Sequence, residues 1–165
     1  MIQIFITGGT FDKDYNYISG KLEFGETKVN DMLERGRCTV PHNVRTLMMI
    51  DSLEMTDPDR EIIAHNVIRS EAKDIVITHG SDTMVKTASY LAKLDIPSKT
   101  VVLTGAMVPY AFGTSSDGFF NLGSALSFAQ VLPPGVYVAM NGQYFKHDNV
   151  RKNRKSGYFE SLESV

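Results

Sequence analysis

Four short stretches of this sequence carry residues fit for chemistry: Thr7–Thr10 (TGGT), Asp51–Glu54 (DSLE), Thr78–Thr83 (THGSDT) and Thr104–Met107 (TGAM). Each closes an apolar run. Together they supply hydroxyls, two carboxylates (Glu54 and Asp82) and glycine backbone, which turns sharply and admits close approach. Thr10, set after Gly8 and Gly9, could attack a carbonyl, hold a phosphate or merely cap a turn.

Several chemistries are excluded by what the stretches lack. There is no GxxxxGK[ST] phosphate loop and no GxGxxG after the first apolar run, so neither a P-loop nor a dinucleotide site is expected. His42, His65, His79 and His147 share no metal-ligand spacing, and Cys38 is the single cysteine, so no metal site or disulfide framework is expected. His79 is two residues from Ser81 in a turn, which predicts diverging side chains rather than a Ser–His–Asp triad. What remains is hydroxyl chemistry activated by a group other than histidine. A lysine serves if burial or neighbouring cations lower its pKa, and a carboxylate can then position that lysine or bind an amino group on the substrate.

The elements that must position these residues alternate. Short apolar runs at Ile2–Thr7, Thr46–Ser52, Asp74–Thr78, Thr100–Thr104 and Gly135–Asn141 read as strands buried on both faces. Between them lie helical stripes. Asp57–Pro58 is a helix-start signal ahead of Ile62, Ile63 and Val67. Met84, Ala88 and Leu91 form a second stripe. Leu122, Ala125, Leu126 and Ala129 form a third, with Asp117 as its candidate cap. A weaker helix over Lys28–Arg35 stops at Gly36. This predicts an α/β fold: a single doubly wound domain over residues 1–165, with a mostly parallel, flavodoxin- or Rossmann-like sheet. Tyr15–Gly25 reads as a loop or hairpin and a candidate lid. The basic tail VRKNRKSGYFESLESV reads, for most of its charges, as solvated.

The chain has 165 residues and a net charge of −2. One globular domain is expected at that length, since domains run to about 100–200 residues. The balance gives no global field to draw in nucleic acid or a membrane surface. No apolar run reaches the roughly 20 residues of a membrane span, and MIQIFITGG has no signal-peptide pattern. A cytoplasmic protein is expected.

TGGT, THGSDTM, VVLTGAMVP, DGFFNLGSAL and the late VRKN resemble the bacterial-type L-asparaginases, over nearly the whole chain. DKDY, GVYVAMNG and VRKN resemble that family's short single-domain members in particular. The resemblance implies hydrolysis of a side-chain amide, with no metal or cofactor. It implies Thr10 as nucleophile, with Tyr15 (or Tyr17) as its lid tyrosine. It implies a second centre of Ser81, Asp82 and Lys152. Ser52 matches the serine that binds the substrate carboxylate, with Glu54 and Gly80 completing the substrate-binding set. Long members carry a second domain that supplies an acid to a neighbouring subunit's site; that domain is expected to be absent here, and a homodimer or larger homo-oligomer is expected. Ser81 stands where threonine is usual, Glu54 where aspartate is, and Val85–Lys86 where glutamates are.

The plainer readings stand beside these. Thr10 could cap a turn, Ser81 and Asp82 could cap the next helix, and Lys152 could be one tail lysine among several. Three functions compete: an amidohydrolase acting on L-asparagine, a catalytically weak amino-acid sensor, and an amidase subunit needing a partner, as in tRNA amidation.

Overall fold

The computed structural model describes residues 1–163. In chain order the elements are β1 (Ile2–Gly8), a 3-10 turn (Thr10–Asp12), β2 (Lys13–Asn16), β3 (Lys21–Phe24), α1 (Val29–Arg35), β4 (His42–Ile50), α2 (Asp57–Arg69), β5 (Asp74–Thr78), α3 (Met84–Leu91), β6 (Thr100–Thr104), a 3-10 segment (Tyr110–Ser115), α4 (Gly118–Val131), β7 (Gly135–Met140), β8 (Gln143–Lys146), β9 (Arg151–Lys152) and β10 (Phe159–Glu160).

Six strands form the main sheet in the order β4-β1-β5-β6-β7-β8. The first five are parallel and β8 is antiparallel. The apolar runs explain why. Along β1, β5 and β6 successive side chains point to opposite faces, and both faces are apolar. Phe5, Ile75, Ile77, Val101 and Leu103 pack with Ile63, Val67, Met84 and Leu91 of α2 and α3. Ile4, Ile6, Val76 and Val102 pack with Val29, Met32, Leu122 and Ala125 of α1 and α4. A sheet clothed by helices on both faces is doubly wound, as the sequence predicts.

Counting parallel strands only, the order is 2-1-3-4-5. The chain crosses from β1 to β4 on one side of it, then from β4, by way of α2, to β5 on the other side. The sheet's switch point therefore lies between β1 and β5, where open α/β sheets bind ligands beyond the carboxyl ends.

Three expectations are corrected locally. β4 begins at His42, four residues before the predicted start, because its first half is a polar edge with mostly exposed side chains. Thr56, not Asp57, caps α2: its hydroxyl accepts from Asp59 N (3.4 Å) while Asp59 Oδ2 accepts from Thr56 N (2.8 Å). Asp117 precedes α4 without a side-chain capping bond. Its carboxylate accepts instead from the backbone N–H groups of Met107 and Val108 (3.0 Å each) and from Asn121 Nδ2 (3.1 Å), which pins the turn after β6.

Candidate active site

The glycines after β1 are dictated by close contact. Gly8 and Gly9 both have positive φ (104° and 80°). A Cβ on Gly8 would sit 2.4 Å from Ile50 N, and one on Gly9 would sit 2.5 Å from Gly80 Cα. Gly80 in turn has no room: its Cβ would meet Ser52 Oγ at 2.5 Å. The turns after β1, β4 and β5 are thus stacked backbone on backbone. Side chains are excluded where the three strand ends converge, and Thr10 emerges one residue beyond that stack. Its side chain is half-buried and its hydroxyl makes no hydrogen bond among the described residues.

Behind the stack, the turn after β5 is held by a fully buried histidine. His79 Nδ1 bonds Gly80 O (2.8 Å), and its Nε2 lies 2.8 Å from Thr87 Oγ1. Burial pushes its pKa down from 6.5 to about 4, so the ring is neutral near pH 7. It orients the turn and takes no part in a triad with Ser81. Arg60 is buried too, and spans α2 and α3 through Thr83 Oγ1 (3.2 Å) and Thr87 Oγ1 (3.0 Å). Ser52 is almost fully buried. Its hydroxyl accepts from Thr83 N (3.3 Å) and its carbonyl accepts from Thr83 Oγ1 (2.8 Å).

Ser81, Asp82 and Lys152 are brought together across about seventy residues of chain. Lys152 Nζ donates to Ser81 Oγ (2.8 Å) and to Asp82 Oδ1 (2.9 Å). Its side chain is 12% exposed. The lysine sits on β9, a two-residue strand paired with β10. That small hairpin is fastened to the body by Asn141 Oδ1, which accepts from Phe159 N at 2.8 Å. Lys152 holds the Asp82 carboxyl below the usual carboxylate range by its hydrogen bond; Arg154 adds to this. Neither Ser81 nor Asp82 caps α3, whose N-cap is Thr83.

The other expected residues are placed less closely. Glu54 is exposed and makes no side-chain bond among the described residues. Tyr15 lies on β2 and Tyr17 in the turn of the β2–β3 hairpin, 55% and 84% exposed, with no hydrogen bond to either hydroxyl among the described residues. The hairpin itself is anchored at its base. Lys13 pairs with Asp51 (2.9 Å) at the end of β4 and lies 5.1 Å from the centroid of the Phe24 ring. Asp12, buried beside Thr10's turn, accepts from Thr27 Oγ1 (3.0 Å) and Lys28 N (3.2 Å), and burial pushes its carboxyl up.

Sequence reasoning missed Lys13, Asp12 and Arg154. Arg154 Nη1 donates to Asp82 Oδ1 (2.8 Å) and Nη2 to the Asp82 carbonyl (3.1 Å); its only signal was a place two residues past Lys152. Among the described residues no three His, Cys, Asp or Glu side chains group as metal ligands, and no helix is long and apolar enough to cross a membrane.

What this arrangement can do is present a free hydroxyl (Thr10) beside a second hydroxyl that is bonded to a lysine (Ser81–Lys152). Residues 1–164 match the family described as asparaginase, N-terminal. L-asparaginase 1 of Escherichia coli K12 is 33% identical over 171 residues, covering 95% of this chain and 48% of that protein. A component of the glutamyl-tRNA(Gln) amidotransferase of Methanococcus vannielii is 32% identical over 152 residues, covering 86% of this chain and 34% of the relative. The thermostable L-asparaginase of Thermococcus kodakarensis superposes with a TM-score of 0.86 at 29% identity, over 99% of this chain and 52% of that one. The chain spans about half the length of these relatives or less. It belongs to the asparaginase family, and its described residues form that family's N-terminal α/β domain.

Proposed function

We propose that the protein hydrolyses the side-chain amide of L-asparagine to L-aspartate and ammonia. The observation that carries this reading is the Lys152 ammonium bridging Ser81 Oγ and Asp82 Oδ1, next to the turn that presents Thr10. Thr10 Oγ1 attacks the amide carbon and gives up its proton, with Tyr15 of the hairpin as its partner. The amide nitrogen takes up that proton and leaves as ammonia, and an ester to Thr10 remains. A water, oriented by Ser81 and Lys152, then adds to the ester carbon; one of its protons returns to Thr10 Oγ1 as the ester bond breaks, and L-aspartate is released. Asp82 keeps the lysine in place. Backbone N–H groups near Thr10 and Gly80, with the Ser81 hydroxyl, receive the negative oxygen of each tetrahedral state.

Ser52, at the end of β4, is assigned to the substrate's carboxylate, and Glu54 together with Asp82 to its ammonium. We further assign a homo-oligomer. Leu53, Met107 and Tyr158, borne on segments next to the site residues, expose apolar surface at 68%, 40% and 63%, which a second copy would cover.

Ammonia release from L-asparagine, D-asparagine and L-glutamine is the test. L-asparagine is expected to be fastest, though one methylene is worth only about 1–3 kcal/mol in a pocket. Equal rates remove the size preference. No ammonia from any amide, with amino acids still bound, supports a sensor instead. Light scattering at micromolar concentration should show more than a monomer.

A further inference from the structure

Asp82 carries more cations than positioning a lysine requires. Both Lys152 Nζ and Arg154 Nη1 donate to one oxygen, Oδ1, at 2.9 and 2.8 Å, and Arg154 also bonds the Asp82 carbonyl. The two partners differ in kind. Lys152 is 12% exposed and is tied to Ser81, whereas Arg154 is 63% exposed and has no hydrogen bond or ion pair to any other side chain among the described residues. Asp82 Oδ2 has no partner among the described residues. An amino-acid amide brings an ammonium of its own to this carboxylate. A third cation on a carboxylate that already holds two meets repulsion from both. The weaker, solvated partner is the one that can leave, because an exposed pair contributes little.

We propose that Arg154 competes with the substrate's α-ammonium for the charge of Asp82 and is displaced when that ammonium reaches Oδ2, so that it sets discrimination between amides with and without that ammonium. This rests on the amidohydrolase reading for its substrate. Arg154 lowers the affinity for L-asparagine by competing for Asp82. It leaves unopposed a ligand such as succinamate, which has the same amide and carboxylate and hydrogen in place of the amine.

The experiment measures KM and kcat for L-asparagine and succinamate in the wild type, Arg154→Ala and Arg154→Lys. Arg154→Ala is expected to lower KM for L-asparagine by roughly twofold to fivefold, the scale of an exposed ion pair. KM for succinamate should not fall. Arg154→Lys retains a competing cation and stays near the wild-type ratio. An equal change for both substrates, or a rise in KM for L-asparagine, overturns the proposal while leaving the amidohydrolase intact. If neither substrate yields ammonia, the amidohydrolase reading fails by itself. Calorimetric titration of L-aspartate against succinate then decides the point. A shift of the ratio toward L-aspartate in Arg154→Ala supports the displacement; an unchanged ratio, or no binding of either, overturns it.

Discussion

The turn after β5 and the β2–β3 hairpin flank the proposed substrate position, and they are built in opposite ways. The turn is buried and over-determined. Gly80 is pressed against Gly9 and Ser52, His79 bonds its carbonyl, and Ser81 is held by Lys152. Among the described residues, the hairpin's ion pairs to the rest of the chain lie near its base: Lys13 to Asp51 and a longer Lys28–Asp14 pair at 3.7 Å. Its distal end is exposed, and neither the Tyr15 nor the Tyr17 hydroxyl has a hydrogen bond among the described residues. The difference separates two jobs. Groups that must be ready before substrate arrives are fixed by backbone packing, while a group needed only once substrate is bound can sit on a segment that closes over it.

Removing the fixed chemistry should have the largest effect. Thr10→Ala, Ser81→Ala and Lys152→Met should each lower kcat by about a thousandfold or more. The Ser81→Ala/Lys152→Met double variant should lose little beyond either single change, since groups acting as a unit are not additive. A folded Thr10→Ala protein with near wild-type kcat would show that the glycine turn is architecture only.

The fixed side should also be intolerant of volume. Gly9→Ala places a methyl against Gly80 backbone at positive φ. We expect a loss of about 3 kcal/mol in urea unfolding, the upper part of the usual range for single substitutions, while Gly20→Ala at the hairpin tip, which meets nothing within 4 Å, should cost only its left-handed backbone strain, about 1 kcal/mol. Comparable losses at the two sites would erase the contrast.

Acid should loosen the turn in a defined window. His79 titrates near 4 in the fold and near 6.5 in the unfolded chain. Between those values the unfolded state binds a proton that the folded state refuses, so stability falls as pH falls, by up to about 3 kcal/mol. Above the unfolded value the group contributes no slope. His79→Gln should flatten the curve of urea stability from pH 6.5 to 4. The slope below that, where the depressed Asp82 carboxyl titrates, should remain; an unchanged curve would mean that His79 is not the group responsible.

The smallest effect expected is at the hairpin. Tyr15→Phe should lower kcat by roughly tenfold, with stability unchanged to about 0.5 kcal/mol, and Tyr17→Phe should do neither. Reversal of the two would transfer the role to Tyr17.

Legibility in the sequence followed how local each cause is. Asp74–Thr78 and Thr100–Thr104 match β5 and β6 to the residue, because a fully buried parallel strand is an uninterrupted apolar run. β4 was half visible, since the edge position of His42–Arg45 leaves those residues polar. β8 was missed although Asn141–Gly142, both with positive φ, is a strong hairpin signal; the apolar run that marks β7 ends before it. Helix stripes gave α2, α3 and α4, but caps depended on which side chain finds which N–H, so Thr56 and Asp117 went unseen in their true roles. Thr10 was legible as a hydroxyl after a glycine turn. Lys152 was not, except through the VRKN resemblance, since its partners lie about seventy residues away and only the folded chain brings them close. Arg154 and Asp12 had no motif to mark them.

The hairpin of β9 and β10 stands apart from the main sheet in chain order as well as in space. All six strands of the main sheet have been made once Lys146 is added, and Lys152 comes after them. The Thr10 and Ser81 turns belong to that sheet, and the lysine that reaches Ser81 does not. It rides on a separate two-strand ribbon that Asn141 fastens to the body. A change that frees the ribbon would therefore take Lys152 from Ser81 and leave the strand order of the main sheet untouched.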